Sequence, residues 1–396
     1  MDTEPSTNGS TTSPAPRLLA RLLAECVALD ASDVHIAPDV PPYFRVHGVL
    51  EPTAGDHALT GEQTEGVAVE LAQAAGRPRL GASGSLDGAL TAADGTRFRF
   101  NVYRRQGRAA VALRRLEEKF RSLSDLGLPD ELYELCAAPD GLVVVAGPTG
   151  AGKSTTLATL LDRINQSRRC HIVTIEDPIE YLHTPAMSLV NQRQVGADTD
   201  NFNEALVASM RQDPDVILVG EIRDLNTIRT AITAAETGHL VFTTVHAGDC
   251  VGTIERLVSV FPADEQAGVR RQLSLVMRAI IAQHLLVCDG ANSRHDVDAD
   301  GHIRRSRVVT SEVLMCNPAV ANLIATGKSN QIYSAMEAGG HLGMQTFEED
   351  LARLWASGTV SEGTASAMAR NAGVLRDRYQ ALRGNGAISN RRGALR

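Results

Sequence analysis

A glycine-rich segment, GPTGAGKST, occupies residues 147–155 and has the spacing G-x-x-x-x-G-K-S. It directly follows the apolar run LVVVA and opens the helical pattern KSTTLATLLDRI. In this strand–loop–helix context, the spacing is typical of a loop that binds nucleotide phosphates through its backbone N–H groups. The N-terminus of the following helix adds the positive end of its dipole. A chance glycine turn would not require this context, so the segment predicts a phosphate loop.

The residues of this loop divide by role. Its glycines let backbone N–H groups turn inward toward phosphate oxygens. Lys153 can reach the β- and γ-phosphates, and the Ser154 hydroxyl can bind Mg²⁺. ATP and Mg²⁺ are therefore the expected cofactors. The expected nucleotide contacts are Gly147, Pro148, Thr149, Gly150, Ala151, Gly152, Lys153, Ser154 and Thr155.

The carboxylates near two other apolar runs are candidates for the metal. In DVILVGEIRD, the strand ends in Gly220 and Glu221, where a phosphate-loop ATPase usually has an aspartate that helps to hold Mg²⁺. In HIVTIEDPIEY, Glu176 and Asp177 follow an apolar strand, and ligands of open α/β sheets bind beyond such strand ends. Glu176 is therefore expected to replace the missing aspartate, directly or through water. The alternative is that Glu176 and Asp177 only cap the turn at Pro178.

Two histidines flank the apolar run LVFTTV. His246 follows its carboxyl end, on the same side of the predicted sheet as the phosphate loop, where it could sense a γ-phosphate. His239 precedes the run, and a simple turn residue is the more economical interpretation there.

Seven arginines are concentrated within residues 97–115. A run of charge usually forms a solvated surface, and most of these are expected to do so. Arginine also matches phosphate geometry, however, and ATPases can receive an arginine finger from a neighbouring molecule. The seven are Arg97, Arg99, Arg104, Arg105, Arg108, Arg114 and Arg115.

These residues need a sheet to position them. Apolar strands at 142–146, 172–175, 216–219 and 240–245 alternate with helical patterns, which predicts a mostly parallel sheet covered on both faces. Residues 17–118 combine a helical pattern with short strands and turns, as in a small α+β domain. From about residue 263 the chain is expected to be mainly helical, with a polar loop between two strand-like runs.

Length and composition restrict the function classes. A chain of 396 residues is long enough for two domains. Its net charge of −8 and 4% aromatic content argue against a general nucleic-acid binder. Six scattered cysteines without metal-ligand spacing fit a reduced cytoplasmic protein. No apolar run approaches transmembrane length, and residues 1–16 resemble a disordered tail rather than a signal peptide.

Four motifs stand in a characteristic order: GPTGAGKST, TIEDPIEY, DPDVILVGEIRD and AAETGHLVFTTVH. The set resembles the Walker A, Asp box, Walker B and His box of the type II/IV secretion ATPase superfamily, in which a glycine before the Walker B glutamate is normal. The likeness is strongest to the twitching-motility (PilT-type) pilus retraction ATPases. The chain is short, lacks the tetracysteine zinc motif of assembly and secretion ATPases, and has retraction-type C-terminal helices in GGHLGMQTFEEDLARLWASGTVSEGTA.

The resemblance implies an α/β fold: a RecA-like P-loop ATPase domain with C-terminal helices, preceded by a small α+β PAS-like domain. The implied bounds are 1–16 for a disordered tail, 17–118 for the PAS-like domain, 119–125 for a linker, 126–378 for the ATPase domain and 379–396 for a second disordered tail.

The resemblance also implies roles and partners. Glu221 is expected to be the general base that positions the attacking water, with Glu176 at the metal and His246 nearby. Arg99 and Arg114 align with arginine-bearing strands of the superfamily, and at least one is expected to act on ATP of a neighbouring subunit. The expected assembly is a cytoplasmic homohexamer at the inner face of the cell membrane, held there by a pilus platform protein and without direct nucleic-acid binding.

One helix departs from the family pattern. Retraction ATPases typically carry a sequence close to AIRNLIRE, but residues 319–326 read AVANLIAT. An accessory pilus ATPase, a competence motor or a type II secretion motor therefore remain alternatives. A DNA-translocating RecA-like ATPase would instead predict DNA-stimulated hydrolysis and a basic channel. A non-catalytic ring scaffold is disfavoured because Lys153, Ser154 and Glu221 are all present.

Overall fold

A computed structural model describes residues 14–46, 49–53, 55, 57–76, 84–116, 120–292, 295–297 and 303–393. The chain divides into two compact units. The first unit comprises Met1–Glu118 and Pro178–Leu182, and the second comprises Lys119–Asp177 and His183–Arg396. In the described part of the chain, no helix has the length and apolar character needed to span a membrane.

The first unit is a six-stranded antiparallel sheet with two helices. Its helices are α1 (Pro14–Ala28) and α2 (Gly61–Ala74). Its strands are β1 (Ala31–Ile36), β2 (Tyr43–Val46), β3 (Val49–Pro52), β4 (Ser85–Thr91), β5 (Arg97–Arg105) and β6 (Arg108–Arg115). The strand order is β3-β2-β1-β6-β5-β4.

Alternation along the strands separates the two faces of this sheet. On β5, Phe98 and Phe100 are buried and pack into one core with Leu22 of α1 and Leu71 of α2. Successive strand residues point to opposite faces, so Arg99 lies on the other face of the sheet. The sequence analysis did not predict α2, which begins with a capping box at Thr60.

The second unit is built on a seven-stranded sheet of order β15-β12-β7-β11-β10-β8-β9. All neighbours are parallel except β12 and β15. The strands of this sheet are β7 (Gly141–Ala146), β8 (His171–Glu176), β9 (Leu189–Gln194), β10 (Val216–Val219), β11 (Leu240–Val245), β12 (Met277–Val287) and β15 (Arg307–Met315). A separate hairpin is formed by β13 (His295–Val297) and β14 (Ile303–Arg305).

Helices cover both faces of this sheet. On β7, Leu142 and Val144 pack into the core on one face, whereas Val143 and Val145 pack into the core on the other, with α4. A strand buried on both sides therefore reads as an unbroken apolar run. The helices are α3 (Leu123–Leu126), α4 (Lys153–Ser167), α5 (Phe202–Ser209), α6 (Leu225–Glu236), α7 (Cys250–Ser259), α8 (Gln266–Val276), α9 (Pro318–Ala325), α10 (Ile332–Ala338), α11 (Phe347–Ala356), α12 (Glu362–Met368) and α13 (Ala372–Gly393), with 3₁₀ turns at Asp130–Ala137, Ser329–Gln331 and Gly340–Leu342.

The expected tails and linker differ from the structure in places. Helix α13 (Ala372–Gly393) covers residues 379–393 of the segment expected to be a disordered tail. Tyr379 stacks on Trp355 of α11 with ring centroids 3.6 Å apart, which anchors α13 to α11 at Tyr379. The linker expected at 119–125 ends inside α3. Of the tail expected at 1–16, residues 1–13 lie outside the described residues and the rest begin α1.

Candidate nucleotide-binding and active site

The phosphate-loop segment leaves the buried strand β7 and curls against β12 before α4 begins. Gly147 has φ +149°, and a Cβ there would lie 2.4 Å from the carbonyl oxygen of Gln283 on β12. Only glycine fits this approach. Gly152 has φ +90° and is the N-cap of α4, a left-handed conformation that glycine adopts without strain. The two glycines thus shape a loop that ends on a helix N-terminus.

The Lys153 ammonium folds back onto its own loop. Its Nζ donates hydrogen bonds to the carbonyl oxygens of Gly147, at 2.9 Å, and Pro148, at 3.0 Å. Ser154, in the first turn of α4, is exposed, as are Pro148 and Thr149. The expected nucleotide contacts therefore surround one helix N-terminus, where backbone N–H groups and the helix dipole favour an anion. Gly150, Ala151 and Thr155 complete the segment, with Ala151 buried.

The backbone of Gly220 lies close to the carboxyl end of the neighbouring strand β8. Its backbone N–H donates to the Ile175 carbonyl at 2.8 Å, and Thr244 Oγ1 donates to its carbonyl at 2.6 Å. A Cβ at Gly220 would lie 3.2 Å from the Ile175 oxygen and 3.4 Å from Glu176 Cα. The glycine therefore permits a close approach that brings Glu176 beside the position where the usual aspartate is missing.

Two donors orient the Glu176 carboxylate. Thr174 Oγ1 donates to Glu176 Oε1 at 2.6 Å, and Gln192 Nε2 donates to the same oxygen at 3.2 Å. Asp177, the next residue, is exposed. The sequence analysis missed Thr174 and Gln192. The former follows from strand alternation, but the latter depends on pairing between β8 and β9, which no local pattern reveals.

Glu221 is held between two cationic or potentially cationic groups. Its Oε1 lies 3.2 Å from His246 Nε2, and its Oε2 accepts a hydrogen bond from Arg223. Burial acts to raise the pKa of Glu221, but the Arg223 guanidinium, and then His246 and Lys153, outweigh it and hold the pKa below its usual value. Glu221 is therefore an ionised acceptor at neutral pH.

The strand register explains why these groups meet. Strands β7, β11 and β10 are parallel neighbours, so their carboxyl ends share one sheet edge. That edge carries the phosphate loop, His246 and Glu221. His239 lies at the opposite end of β11, where its Nδ1 is 2.9 Å from the Ala234 oxygen. The sequence analysis did not predict a role for Arg223, although this arginine follows Glu221 by two residues in GEIRD.

Arg99 and Arg114 belong to the first unit, whereas this sheet edge belongs to the second. They are directly opposite each other in the pairing of β5 with β6. Arg114 Nε donates to Asp33 Oδ1 at 2.8 Å, and Arg45 lies 3.7 Å from the same carboxylate, which is only 9% exposed. Arg99 lies 3.9 Å from Glu180 of the same unit. Like charges directly opposite on paired strands are destabilising, and the carboxylates of Asp33 and Glu180 offset that repulsion here.

Comparison with known proteins identifies the family. The family model described as Type II/IV secretion system protein matches residues 9–360. The chain belongs to this family. The Type IV pilus retractation ATPase PilT of Pseudomonas aeruginosa is 40% identical over 352 residues, which cover 89% of this chain and 98% of that protein. The Type IV pilus ATPase PilU of the same organism is 36% identical, with 90% of each protein covered.

Solved structures agree with this assignment. The crystal structure of the pilus retraction motor PilT with bound ADP has a TM-score of 0.80 and 38% sequence identity, and the match covers 91% of this chain and 99% of that one. The ATPase DotB of Legionella pneumophila has a TM-score of 0.69 and 25% identity, with 91% and 97% covered. The expected superfamily and fold class are confirmed. The chain is a nucleotide-binding ATPase of this family, as its phosphate loop predicted.

Proposed function

We propose that this ATPase is the motor of a type IV pilus machine and couples ATP hydrolysis to pilus retraction. The observation that carries the proposal is the match to PilT, which spans nearly the whole of both proteins in sequence and in structure. The site at the edge of the second unit's sheet supplies the residues that hydrolysis requires.

Nucleotide binding begins at the loop. Lys153 moves from the carbonyl oxygens of Gly147 and Pro148 to the β- and γ-phosphates, while backbone N–H groups at the start of α4 contact phosphate oxygens. Mg²⁺ typically takes one or two protein oxygens together with phosphates and waters. The exposed Ser154 hydroxyl and the Glu176 carboxylate, oriented by Thr174 and Gln192, fit such an ion. When bound, Mg²⁺ neutralises charge on the phosphates.

Glu221 is the general base in this proposal. Its low pKa keeps the carboxylate ionised, so it can orient a water and accept its proton as the γ-phosphate is attacked. His246, whose Nε2 lies 3.2 Å from Glu221 Oε1, can exchange this contact for a hydrogen bond to the γ-phosphate. Asp177 is assigned only to the turn.

The arginine pair supports action between subunits. Arg99 and Arg114 present two partly exposed guanidinium groups side by side on one sheet face, and arginine matches the geometry of a phosphate group. We propose that at least one of them acts on ATP of a neighbouring subunit in a homohexamer.

The cellular setting follows from the same proposal. The motor works in the cytoplasm at the inner face of the cell membrane, transmits its motion to an inner-membrane pilus platform protein, and does not bind nucleic acid directly. A net charge of −8 agrees with the last point.

Helix α9 favours a second candidate. Ala321 and Ala325, both half-buried, and the exposed C-cap residue Thr326 stand where a retraction-type helix carries charges. An accessory pilus ATPase would need a different contact there, and the Type IV pilus ATPase PilU is also similar to this chain. The two candidates share the ATPase chemistry and differ in the phenotype that their loss produces.

A deletion strain complemented with either the wild-type gene or Glu221→Gln separates them. A retraction motor predicts that deletion abolishes twitching and leaves surface pili in excess, and that only the wild-type gene restores movement. An accessory ATPase predicts that twitching persists in reduced form. Loss of surface pili on deletion, or normal twitching with Glu221→Gln, would contradict the retraction proposal.

A further inference from the structure

Buried charged groups surround Arg370, between α12 and α13, far along the chain from the motifs. We call Arg370, Glu312, Glu348, Gly248 and Asp249 the Arg370 cluster. Glu312, on β15, and Glu348, on α11, are each only 1% exposed. Two buried carboxylates near a single guanidinium are costly unless every oxygen is satisfied. The cluster is therefore a specific arrangement rather than an incidental surface pair.

Both acids are fully engaged. Glu348 Oε1 accepts the backbone N–H groups of Arg370 and Asn371, each at 3.1 Å, and its Oε2 accepts the Tyr333 hydroxyl at 2.8 Å. Glu312 Oε1 accepts the backbone N–H of Cys250 at 2.9 Å. Its Oε2 pairs with Arg370 Nη1. These bonds tie α11 and the start of α13 to β15 and to the start of α7.

The guanidinium reaches back to the catalytic edge of the sheet. Arg370 Nη2 donates to the carbonyl oxygen of Gly248 at 2.8 Å. Gly248 is two residues beyond His246, and Asp249, at 3.9 Å from Arg370 Nη1, is the N-cap of α7. Arg370 also lies over the Phe347 ring at 4.8 Å. The backbone just after β11 is thus held by Arg370, which lies between two C-terminal helices, together with His284 of β12, whose Nε2 is 3.1 Å from the same Gly248 oxygen.

We infer that Arg370 is a positioning residue for ATP hydrolysis, which holds Gly248 and Asp249 so that His246 stays beside Glu221. The inference rests on the proposed catalytic roles of those two residues. It also assigns a task to the C-terminal helices: a movement of α11 or α13 that loosens Arg370 lowers turnover without touching the phosphate loop. The planar fork of arginine suits this task because it can hold Glu312 and Gly248 together, which the single ammonium of lysine cannot match.

The test compares Arg370→Ala and Arg370→Lys with Arg378→Ala as the matched control. Arg378 also joins C-terminal acids, pairing with Glu337 at 2.7 Å and Glu349 at 3.6 Å, but within the described residues it makes no hydrogen bond or ion pair with the segment after β11. We expect kcat to fall roughly ten- to a hundredfold in Arg370→Ala, the range for a displaced catalytic group, with the KM for ATP changed less than about twofold. Arg378→Ala should keep its kcat.

Chemical rescue distinguishes positioning from general loss of structure. Added guanidinium at millimolar concentration should restore part of the kcat of Arg370→Ala, whereas the same ionic strength of NaCl should not. A folded Arg370→Ala enzyme with normal kcat, or one whose loss guanidinium does not reverse, would overturn the inference. If Arg370→Ala does not fold, Arg370→Lys decides, because it keeps a charge beside Glu312: a folded lysine variant with unchanged kcat would equally overturn it.

The outcomes separate the inference from the function on which it rests. Active Glu221→Gln would remove the proposed base and with it the ground for a positioning residue. Inactive Glu221→Gln together with a fully active Arg370→Ala would leave the proposed function intact and refute the inference alone.

Discussion

Replacing Gly220 with alanine tests why this ATPase has glycine where an aspartate is usual. The new methyl group would lie 3.2 Å from the Ile175 oxygen and 3.4 Å from Glu176 Cα. Contacts below 3.4 Å are uncommon for a real Cβ, so the ends of β8 and β10 must separate by a few tenths of an ångström. Overpacking of this kind costs about 1–3 kcal/mol, and a unit of this size should lose several degrees of Tm.

The effect on activity follows from the same displacement. A misplacement of 1 Å can cost about a hundredfold in rate, so a few tenths of an ångström should lower kcat about three- to tenfold. Because Glu176 is the group displaced, the Mg²⁺ concentration for half-maximal activity should rise as well. Gly220→Asp should not improve the enzyme, since it adds a third carboxylate to the same crowded position beside Glu176 and Glu221.

The assay is steady-state ATP hydrolysis across a Mg²⁺ titration, together with thermal unfolding. Gly268→Ala is the matched control, because a Cβ at that position of α8 meets nothing within 4 Å. It should leave activity unchanged and raise stability slightly, as alanine favours a helix over glycine. A Gly220→Ala enzyme with the wild-type Mg²⁺ titration and Tm would refute the argument that glycine is required for close approach.

Three further results are expected. Lys153→Ala should abolish tight ATP binding in a nucleotide titration, because the phosphates lose their main cation, and undiminished affinity would contradict the loop assignment. Arg223→Ala should raise the pKa of Glu221, so the acid limb of the kcat–pH profile should move to higher pH; an unmoved limb would mean that Glu221 is not the titrating base. An Arg99→Ala, Arg114→Ala double mutant and Lys153→Ala should each be inactive alone but regain ATPase activity in mixed rings. Rings shown by mass to be mixed, yet inactive, would exclude arginines supplied by a neighbour.

The local sequence pattern predicts the central strands of the second unit's sheet well and its edge strands poorly. β7, β10 and β11 are buried on both faces, so each appears as an apolar run. β9 is a half-exposed edge strand, LVNQRQ, whose polar composition conceals it. The runs beside the polar loop were predicted as strand-like, and they are β12 and β15. That β15 pairs antiparallel at the sheet edge depends on long-range packing, which no local pattern contains.

The site shows the same limit. The phosphate loop and Glu221 follow from short motifs, because the chemistry needs those residue types at fixed spacing. Partners that meet only through strand pairing were not accessible: Gln192 reaches Glu176 from β9, and Arg99 faces Arg114 only in one register. The contact between Arg370 and Gly248 is even less accessible to local sequence reasoning, since 122 residues separate the two.

The bonds of Lys153 to its own loop make ATP binding an exchange of ligands. Each carbonyl bond to the ammonium is worth on the order of 1–3 kcal/mol, and phosphate must replace both before it adds any affinity. The loop is therefore held in shape before nucleotide arrives, at some expense in tightness. After hydrolysis the same two oxygens can take the ammonium back as phosphate departs. Because the loop oxygens compete with the product phosphate for the Lys153 ammonium, they speed product release. Fast product release suits an enzyme that must repeat its cycle many times.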